Sequence, residues 1–341
     1  MKPATHRAVV YTRTGGPEVL TVVDRPSPEP GPGEVRVRVQ RSGVNPTDWK
    51  SRQGAGDSAT VEPAQVPGQD GAGMIVAVGP DVDAGRVGER VWLWEAAYQR
   101  TEGTVQQFAV VPARQAVSLP DAVSFDLGAS LGIPFLTAHR CLTVAEGGPD
   151  QLVPGSLTGR TVFVSGGAGA VGNAAIQLAR WADATVITSV SSPQKAQLAA
   201  AAGADHIINY RDTDVAAEVR KLSPRGVDSI VEVAVAANAG IDASIIASDG
   251  SIAMYADDGG DTASIAIRNS MVRNVRWQFV LVYTEPRAAK ERAISAVSTA
   301  LLAGFITPRL PEHHFPLDQA AAAHQAVQNG AVGRVLIDIA D

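Results

Sequence analysis

The chain has 341 residues, of which 45% are hydrophobic and 19% are charged, and its formal net charge at pH 7 is −6. A chain of this length exceeds the size at which one hydrophobic core keeps growing, so two domains are expected. The composition excludes an intrinsically disordered protein. The weak negative charge, with no basic cluster among aromatic residues, excludes nucleic acid and anionic membranes as expected partners.

The N-terminus and the cysteine content indicate a compartment. The opening residues MKPATHRAVV lack the apolar segment of a signal peptide, and no run approaches the ~18 apolar residues of a membrane-spanning helix. We therefore expect a soluble, cytoplasmic protein. Cys141 is the only cysteine, which excludes an internal disulfide and any site built from several thiolates.

The first third of the chain has the pattern of β-strands. In GEVRVRVQRSGVN, Val35, Val37 and Val39 alternate with polar residues, which is the period of a half-buried strand. Further short apolar runs follow, among them GAGMIVAVG and GERVWLW, and glycine, proline and aspartate separate them. This spacing predicts a small irregular β-barrel.

The middle of the chain has a different pattern. After Gly159, strand patterns alternate with helical ones, and the predicted strands are TVFVS, ATVITSV, HIINY, SIVEVA and SIAMYA. This alternation predicts a parallel sheet with helices on both faces. The last part of the chain is predicted to form a helix over EPRAAKERAISAVSTALLAG, a second helix around LDQAAAAHQAVQNG and a closing strand, GRVLIDI.

A glycine motif lies between the first strand and the first helix of the alternating region. The segment GAGAVG matches GxGxxG at Gly167, Gly169 and Gly172. Glycines at this spacing permit a tight turn, a close approach of the backbone to pyrophosphate and close packing of helix on strand. The phosphates are then expected on the free N–H groups where the helix begins, at Ala170 and Val171. The motif predicts a dinucleotide site.

The end of the next strand indicates which dinucleotide is bound. An NAD site usually places an acidic residue there to accept from the ribose 2′-hydroxyl, whereas this strand ends in Ser189, Val190, Ser191 and Ser192. Lys195 follows in the first turn of the next helix, where a nearby anion would offset its unfavourable position against the helix dipole. The missing acid favours NADPH over NADH, although Lys195 alone is also consistent with a solvated surface lysine.

The sequence resembles a known family along nearly its whole length. The segments that carry the resemblance are SGVNPTDWKSRQG, VPGQDGAGMIVAVG, GERVW, LPDAVSFDLGASLGIPFLTAHRCL, SGGAGAVG, AAAAGADHIINY, FVLVY and GRVLI. They are similar to the zinc-free quinone oxidoreductases, related to zeta-crystallin, of the medium-chain dehydrogenase/reductase superfamily. The resemblance implies an α/β protein with two domains: a GroES-like β-barrel catalytic domain and a doubly wound Rossmann domain.

The resemblance also implies the domain boundaries and the assembly. Residues 1–133, completed by residues 284–341, are expected to form the catalytic domain, and residues 134–283 the Rossmann domain. The family implies an active-site cleft between the domains, NADPH as cofactor and a homodimer.

Zinc-dependent relatives differ from this chain at the metal ligands. Their ligand cysteine is replaced by Asn45, their ligand histidine by Gln69 and a later ligand cysteine by Ile133. Zn²⁺ prefers thiolate and imidazole, and a catalytic site needs three protein ligands. We therefore expect no bound zinc and no metal site.

Candidate site residues follow from the resemblance. Asn45 and Asp48 resemble the active-site Asn and Asp of the N-P-x-D segment, although both residue types also cap loops by bonding their own backbone. Beyond the glycine motif and Lys195, the cofactor is expected to contact Thr137, Ser191, Tyr210, Tyr255, Phe279, Leu281 and Arg334. Around Phe279 to Leu281 the contact is expected from the backbone.

The function expected from these features is transfer of hydride from NADPH to a small-molecule acceptor, a quinone or an α,β-unsaturated carbonyl compound, without a metal. Such an acceptor spreads the developing charge onto its own oxygen, so it mainly needs orientation and one or two hydrogen-bond donors. Two alternatives stay open: a zinc-free carbonyl reductase, and a dinucleotide-binding protein with a structural or regulatory role.

Overall fold

A computed structural model describes residues 5–56 and 58–339. The chain forms two compact units by its internal contacts: residues 1–133 with 311–341, and residues 134–310. No helix in the described ranges is both long and apolar enough to cross a membrane.

The strands and helices are numbered in chain order. The strands are β1 Thr5–Arg13, β2 Thr21–Pro26, β3 Glu34–Val44, β4 Thr60–Gln65, β5 Asp70–Val78, β6 Arg90–Leu93, β7 Phe108–Pro112, β8 Ala116–Ser118, β9 Thr161–Val164, β10 Thr185–Val190, β11 His206–Asn209, β12 Val227–Glu232, β13 Ile246–Met254, β14 Arg276–Phe279, β15 Glu312–Pro316 and β16 Arg334–Asp338. The helices are α1 Pro46–Gln53, α2 Phe125–Gly128, α3 Gly132–Thr143, α4 Ala170–Trp181, α5 Pro193–Ala202, α6 Val215–Leu222, α7 Val235–Ile245, α8 Ile267–Val272, α9 Arg287–Leu302 and α10 Ala320–Gln328.

The first unit is built around β3. This strand pairs antiparallel with β5, β7 and β16 within a seven-stranded sheet, and a three-stranded sheet has the order β2-β1-β4. Val35, Val37 and Val39 are fully buried, whereas Arg36, Arg38 and Gln40 between them are not, so the predicted alternation is confirmed. The β-branched side chains on the buried face pack into the core.

Pairing of β16 with β3 brings the chain's end back to the first unit. Val335 lies opposite Val44, one residue from Asn45, in this antiparallel register. Arg334, one residue before Val335, therefore lies close to Asn45 although 289 positions separate them in sequence.

The second unit contains a six-stranded parallel sheet with the order β11-β10-β9-β12-β13-β14. This is the doubly wound order 3-2-1-4-5-6, which confirms the predicted parallel sheet. The order reverses between β9 and β12. In such sheets, ligands bind at the carboxyl ends of the strands next to the point of reversal.

The second unit extends further along the chain than the sequence predicted. The predicted Rossmann domain ended at residue 283, whereas the contacts place residues up to 310 in this unit. The physical reason is packing: α9 contacts α4, and beyond α9 the backbone N–H of Thr307 donates to Oε1 of Gln177 on α4 at 3.0 Å.

Candidate functional site

Two positions of the glycine turn between β9 and α4 have no room for a side chain. A Cβ at Gly172 would lie 2.4 Å from the carbonyl oxygen of Gly166, and a Cβ at Gly167 would lie 2.2 Å from Oγ1 of Thr188. Gly166 itself has a φ of +71°, in the left-handed region that favours glycine. Gly167 and Gly172 are therefore required for steric reasons, as the motif predicted.

Helix α4 begins directly after this turn. Gly169 precedes the helix and has no side chain to cap it. No capping side chain therefore bonds the N–H groups of Ala170 and Val171. The first N–H groups of a helix have no partner within the helix, and together with the helix dipole they favour an anion. This helix end therefore fits the pyrophosphate of a dinucleotide.

Three of the predicted cofactor residues lie near the carboxyl end of β10. The N–H of Tyr210 donates to the carbonyl of Val190 at 3.0 Å, which places Tyr210 beside the end of β10. Ser191 follows Val190, and the Oγ of Ser192 accepts from the N–H of Lys195 at 3.3 Å where α5 begins. Lys195 is half-buried, and Tyr210 is exposed. The end of this strand carries hydroxyl and ammonium groups and no carboxylate.

Other predicted cofactor residues lie elsewhere in the second unit. Tyr255 and Phe279 lie at the carboxyl ends of β13 and β14, because Met254 pairs with Phe279 and the N–H of Val280 donates to Met254. The side chains of Phe279 and Leu281 are exposed, and Thr137 is buried in α3.

Two buried carboxyl groups, which the sequence analysis did not single out, lie where the strand order reverses. Glu232 ends β12 and Asp242 lies on α7, and both side chains are fully buried. Oε1 of Glu232 accepts from Nδ2 of Asn238 at 3.0 Å, and the same Nδ2 donates to Oγ of Ser165 at 3.2 Å, directly before the glycine turn. Burial and the neighbouring Glu232 raise the pKa of Asp242 well above its ordinary value, so the pair holds a proton at neutral pH.

The first unit contains a second buried polar cluster, centred on Asn45. Its Nδ2 donates to Oδ2 of Asp70 at 2.7 Å, and its Oδ1 accepts from Nη1 of Arg334 at 3.2 Å. Its backbone N–H donates to Oδ2 of Asp48 at 2.7 Å, which caps the start of α1. The other oxygen of Asp70 accepts from the N–H of Ile133 at 2.9 Å. Both carboxyl groups and the guanidinium are buried.

Burial dominates the electrostatics of this cluster. It raises the pKa of Asp48 to about 7, although backbone N–H groups and Arg334 oppose the shift. It also raises the pKa of Asp70 to about 7, and here Arg334 and Asn45 oppose it. Arg334 lies within this cluster and is buried, and the contact with the cofactor that the resemblance implies for it stays a prediction.

A cavity of about 360 Å³ opens beside the cluster, within the first unit. Asp48 and Gln69 form part of its wall, and Tyr11, Gln65 and Arg100 add further polar groups. Its volume is in the range of small-molecule sites. Asp48 provides the carboxyl group among the residues that line it.

The residues at the zinc-ligand positions do not fit Zn²⁺. The amide of Asn45 is bonded to Asp70 and Arg334, Oε1 of Gln69 accepts from the N–H of Ala97 at 3.2 Å, and Ile133 has no donor atom in its side chain. Neither thiolate nor imidazole is present at these positions.

Comparisons with known proteins define the class. Residues 31–121 match the family described as alcohol dehydrogenase GroES-like domain, and residues 170–299 match the family described as zinc-binding dehydrogenase. Quinone oxidoreductase of Homo sapiens is 27% identical over 97% of each chain.

Three solved structures are similar over almost the whole chain. A mycobacterial quinone oxidoreductase is 30% identical over 97% of this chain and 99% of its own, with a TM-score of 0.81. A mycobacterial protein complexed with NADPH is 29% identical over 97% and 99%, with a TM-score of 0.81. An NAD-dependent alcohol dehydrogenase is 29% identical over 98% and 100%, with a TM-score of 0.85.

The chain therefore belongs to the quinone oxidoreductase family of the medium-chain dehydrogenase/reductase superfamily. The fold class predicted from sequence, a GroES-like domain with a Rossmann domain, is confirmed. The protein is an oxidoreductase of a family that binds nicotinamide dinucleotides.

Proposed function

We propose that this oxidoreductase uses NADPH to reduce a quinone or an α,β-unsaturated carbonyl compound and that it works without zinc. The observation that carries the NADPH assignment is the end of β10, which has no carboxylate of its own and lies beside Tyr210 and the start of the helix that carries Lys195. A ribose 2′-phosphate would find the Lys195 cation there and no carboxylate on the end of β10. The NADPH complex of a similar mycobacterial protein supports the same choice.

The glycine turn and the start of α4 hold the pyrophosphate in this proposal. Gly167, Gly169 and Gly172 leave the backbone open, and the N–H groups of Ala170 and Val171 donate to the phosphate oxygens. When bound, the nicotinamide supplies the hydride.

The first unit orients the acceptor in this proposal. The side chain of Asn45 is held by hydrogen bonds with Asp70 and Arg334. Its Nδ2 carries two N–H groups, and one of them donates to Asp70. The second N–H is a donor whose direction is fixed before the acceptor arrives. A donor of this kind, aimed at an oxygen that gains charge, favours reduction of a conjugated acceptor.

The donor set supports a metal-free reaction, since Asn45, Gln69 and Ile133 offer Zn²⁺ no suitable ligands. A quinone or enone carries the developing charge on its own oxygen. It therefore does not need the Lewis acid that stabilises an alkoxide in zinc enzymes.

Replacement of Lys195 tests the cofactor assignment. We expect Lys195→Ala to raise KM for NADPH by about ten- to a hundredfold, because a charge-assisted contact to phosphate contributes about 1.5–3 kcal/mol. KM for NADH should change less than about twofold, because NADH offers the lysine no phosphate. Initial rates with both cofactors and one quinone provide the measurement.

Lys221→Ala is the matched control, because Lys221 is an exposed lysine on α6 whose side chain bonds Glu218. It should leave both KM values unchanged. Equal weakening of NADPH and NADH by Lys195→Ala would give Lys195 a structural role, and a preference of the unaltered protein for NADH would contradict the assignment.

We also propose that two copies of the chain associate through β14. This strand is at the edge of its sheet, and Ile267, Met271, Phe279 and Leu281 nearby expose 54–80% of their surface. An exposed sheet edge with apolar side chains is typical of an interface between chains. Pairing β14 with β14 of a second copy would cover both the edge and these side chains.

Sedimentation of Phe279→Asp tests the dimer. The unaltered protein should sediment at twice the chain mass of 35.4 kDa, and the variant as a single chain, because the new charge would be buried in the interface. Leu222→Asp changes an exposed apolar side chain on α6 and should not alter the mass. A monomeric unaltered protein, or a dimeric Phe279→Asp variant, contradicts the proposal.

A further inference from the structure

Glu232 and Asp242 form a pair of carboxyl groups inside the second unit, and the proposed reaction does not use them. Both side chains are fully buried. Oε2 of Glu232 and both oxygens of Asp242 receive no hydrogen bond from any other described residue, yet the two side chains hydrogen-bond with each other. Two carboxylates cannot form this bond, because neither has a hydrogen to donate. The pair therefore shares one proton.

No neighbouring group neutralises the pair in place of this proton. Glu232 is the one charged group that shifts the pKa of Asp242, and no cation of the described residues contributes. Strand β9 has no ionisable residue, and the buried residues of α6 are apolar. Tyr255, directly after β13, faces Glu232, Cys141 and Asp258, and burial raises its pKa well above the ordinary value, so it stays neutral. Loss of the shared proton would leave two negative charges in contact inside the unit.

Hydrogen bonds connect the pair to the glycine turn. Oε1 of Glu232 accepts from Nδ2 of Asn238 at 3.0 Å, and the same Nδ2 donates to Oγ of Ser165 at 3.2 Å. Ser165 directly precedes Gly166, and the carbonyl oxygen of Gly166 accepts from the N–H of Gly169 at 2.9 Å. Gly169 is the residue before α4. The position of Glu232 therefore affects the turn that precedes this helix.

We infer, on the basis of the proposed function, that Glu232 is a positioning residue for the cofactor and that cofactor affinity depends on the proton it shares with Asp242. With the proton in place, Glu232 holds Asn238 and Asn238 holds Ser165, so the turn directs the first N–H groups of α4 toward the pyrophosphate. Without the proton, the two carboxylates repel each other, and their separation displaces Glu232 from Asn238. The cofactor therefore binds more tightly to the protonated form.

The proton and the cofactor affect each other by the same factor. If loss of the proton weakens cofactor binding, binding of the cofactor raises the affinity of the pair for the proton equally. At alkaline pH, where part of the protein has lost the proton, cofactor binding should therefore take up protons from solvent. The pyrophosphate is common to NADPH and NADH, so both should show the effect. NADH is the better probe, because it has no 2′-phosphate and its binding does not depend on the charge of Lys195.

The test measures the Kd for NADH at pH 7 and at pH 9.5 by fluorescence titration, with circular dichroism to check the fold at both. The unaltered protein should bind NADH about tenfold more weakly at pH 9.5. Calorimetry at that pH, in two buffers of different ionisation enthalpy, should show uptake of a fraction of a proton. Asp242→Asn has an amide N–H that can donate to Glu232 and no proton to lose. Its own Kd should be the same at the two pH values, without proton uptake.

Further variants test the connection to the turn. Glu232→Ala removes the acceptor for Asn238 and should raise the Kd for NADPH and for NADH by the same factor, about tenfold. Glu232→Gln keeps an acceptor oxygen and should restore most of this loss. Asn238→Ala should raise both Kd values and remove their dependence on the proton, because the pair no longer reaches Ser165.

Asp183→Asn is the matched control. Asp183 is an exposed carboxyl group between α4 and β10, and its φ of +65° also suits asparagine. This variant should keep the Kd values and the pH dependence of the unaltered protein.

The outcomes separate this inference from the proposed function. If the protein binds neither NADPH nor NADH at pH 7, the proposed function is wrong. If it binds them and the Kd for NADH is the same at pH 7 and pH 9.5, the inference is overturned, and this measurement needs no variant to fold. If Asp242→Asn or Asn238→Ala keeps the loss of affinity at pH 9.5, another group causes that loss and the inference is overturned as well.

Discussion

Gly172→Val is expected to raise the Kd for NADPH by more than about a hundredfold, which corresponds to about 2.7 kcal/mol. The Cβ of any larger residue would lie 2.4 Å from the Gly166 carbonyl oxygen and 3.1 Å from Cα of Gly167. Both atoms belong to the backbone, so relief requires the turn to move. Moving the turn displaces the N–H groups that receive the pyrophosphate. Titration of protein fluorescence with NADPH measures the loss.

Gly240→Ala is the matched control for this prediction. Gly240 lies within α7, and no atom lies within 4 Å of a Cβ added there. The alanine should leave the Kd unchanged and stabilise the helix by up to about 1 kcal/mol, because glycine in a helix interior costs that amount relative to alanine. A folded Gly172→Val protein that binds NADPH within about threefold of the unaltered one would show that the turn does not carry the cofactor.

Arg334→Met is expected to lower the free energy of unfolding by about 3–5 kcal/mol, because it leaves Asp48 and Asp70 buried without their cation. The arginine favours both carboxyl groups in their ionised form, so the loss should be larger at pH 8.5 than at pH 5.5, where they hold protons. Urea unfolding at the two pH values provides the measurement.

Two further variants define the origin of the loss. Arg334→Met combined with Asp70→Asn should recover part of the stability, since it removes one of the uncompensated charges. Arg114→Met changes an exposed arginine of the same unit and should stay within about 0.5 kcal/mol. If Arg334→Met alone were as stable as the unaltered protein at pH 8.5, Arg334 would not compensate the charges of the two carboxyl groups.

The parts of the structure that the sequence predicted correctly depend on local patterns. The alternation at Val35, Val37 and Val39 gave a strand with one buried face, and the glycine spacing at Gly167 and Gly172 gave a turn with no room for Cβ atoms. Each pattern depends on residues that are only a few positions apart in the chain. The spacing of residue types in the sequence is therefore enough to predict the strand and the turn.

The contacts that the sequence did not predict join distant parts of the chain. Nothing near Arg334 indicates that it bonds Asn45, because that contact depends on the register of β16 against β3. For the same reason the sequence of α9 does not indicate which unit the helix packs against, and the contacts place α9 in the second unit, beyond the predicted boundary at residue 283. The acidic residue within SIVEVA was a visible signal for Glu232, but its partner Asp242 is ten positions further on and only the fold brings the two together.

The carboxyl pair of Glu232 and Asp242 changes the proton balance of folding. The formal charge of −6 counts every carboxyl group as ionised, but Asp242 keeps its proton in the folded protein well above the pH at which an unfolded aspartate loses it. The folded chain is thus less negative than its composition states, and unfolding at neutral pH releases this proton to solvent. Because the folded state binds more protons, stability contributed by Asp242 is complete below about pH 4 and decreases as pH rises toward its raised pKa.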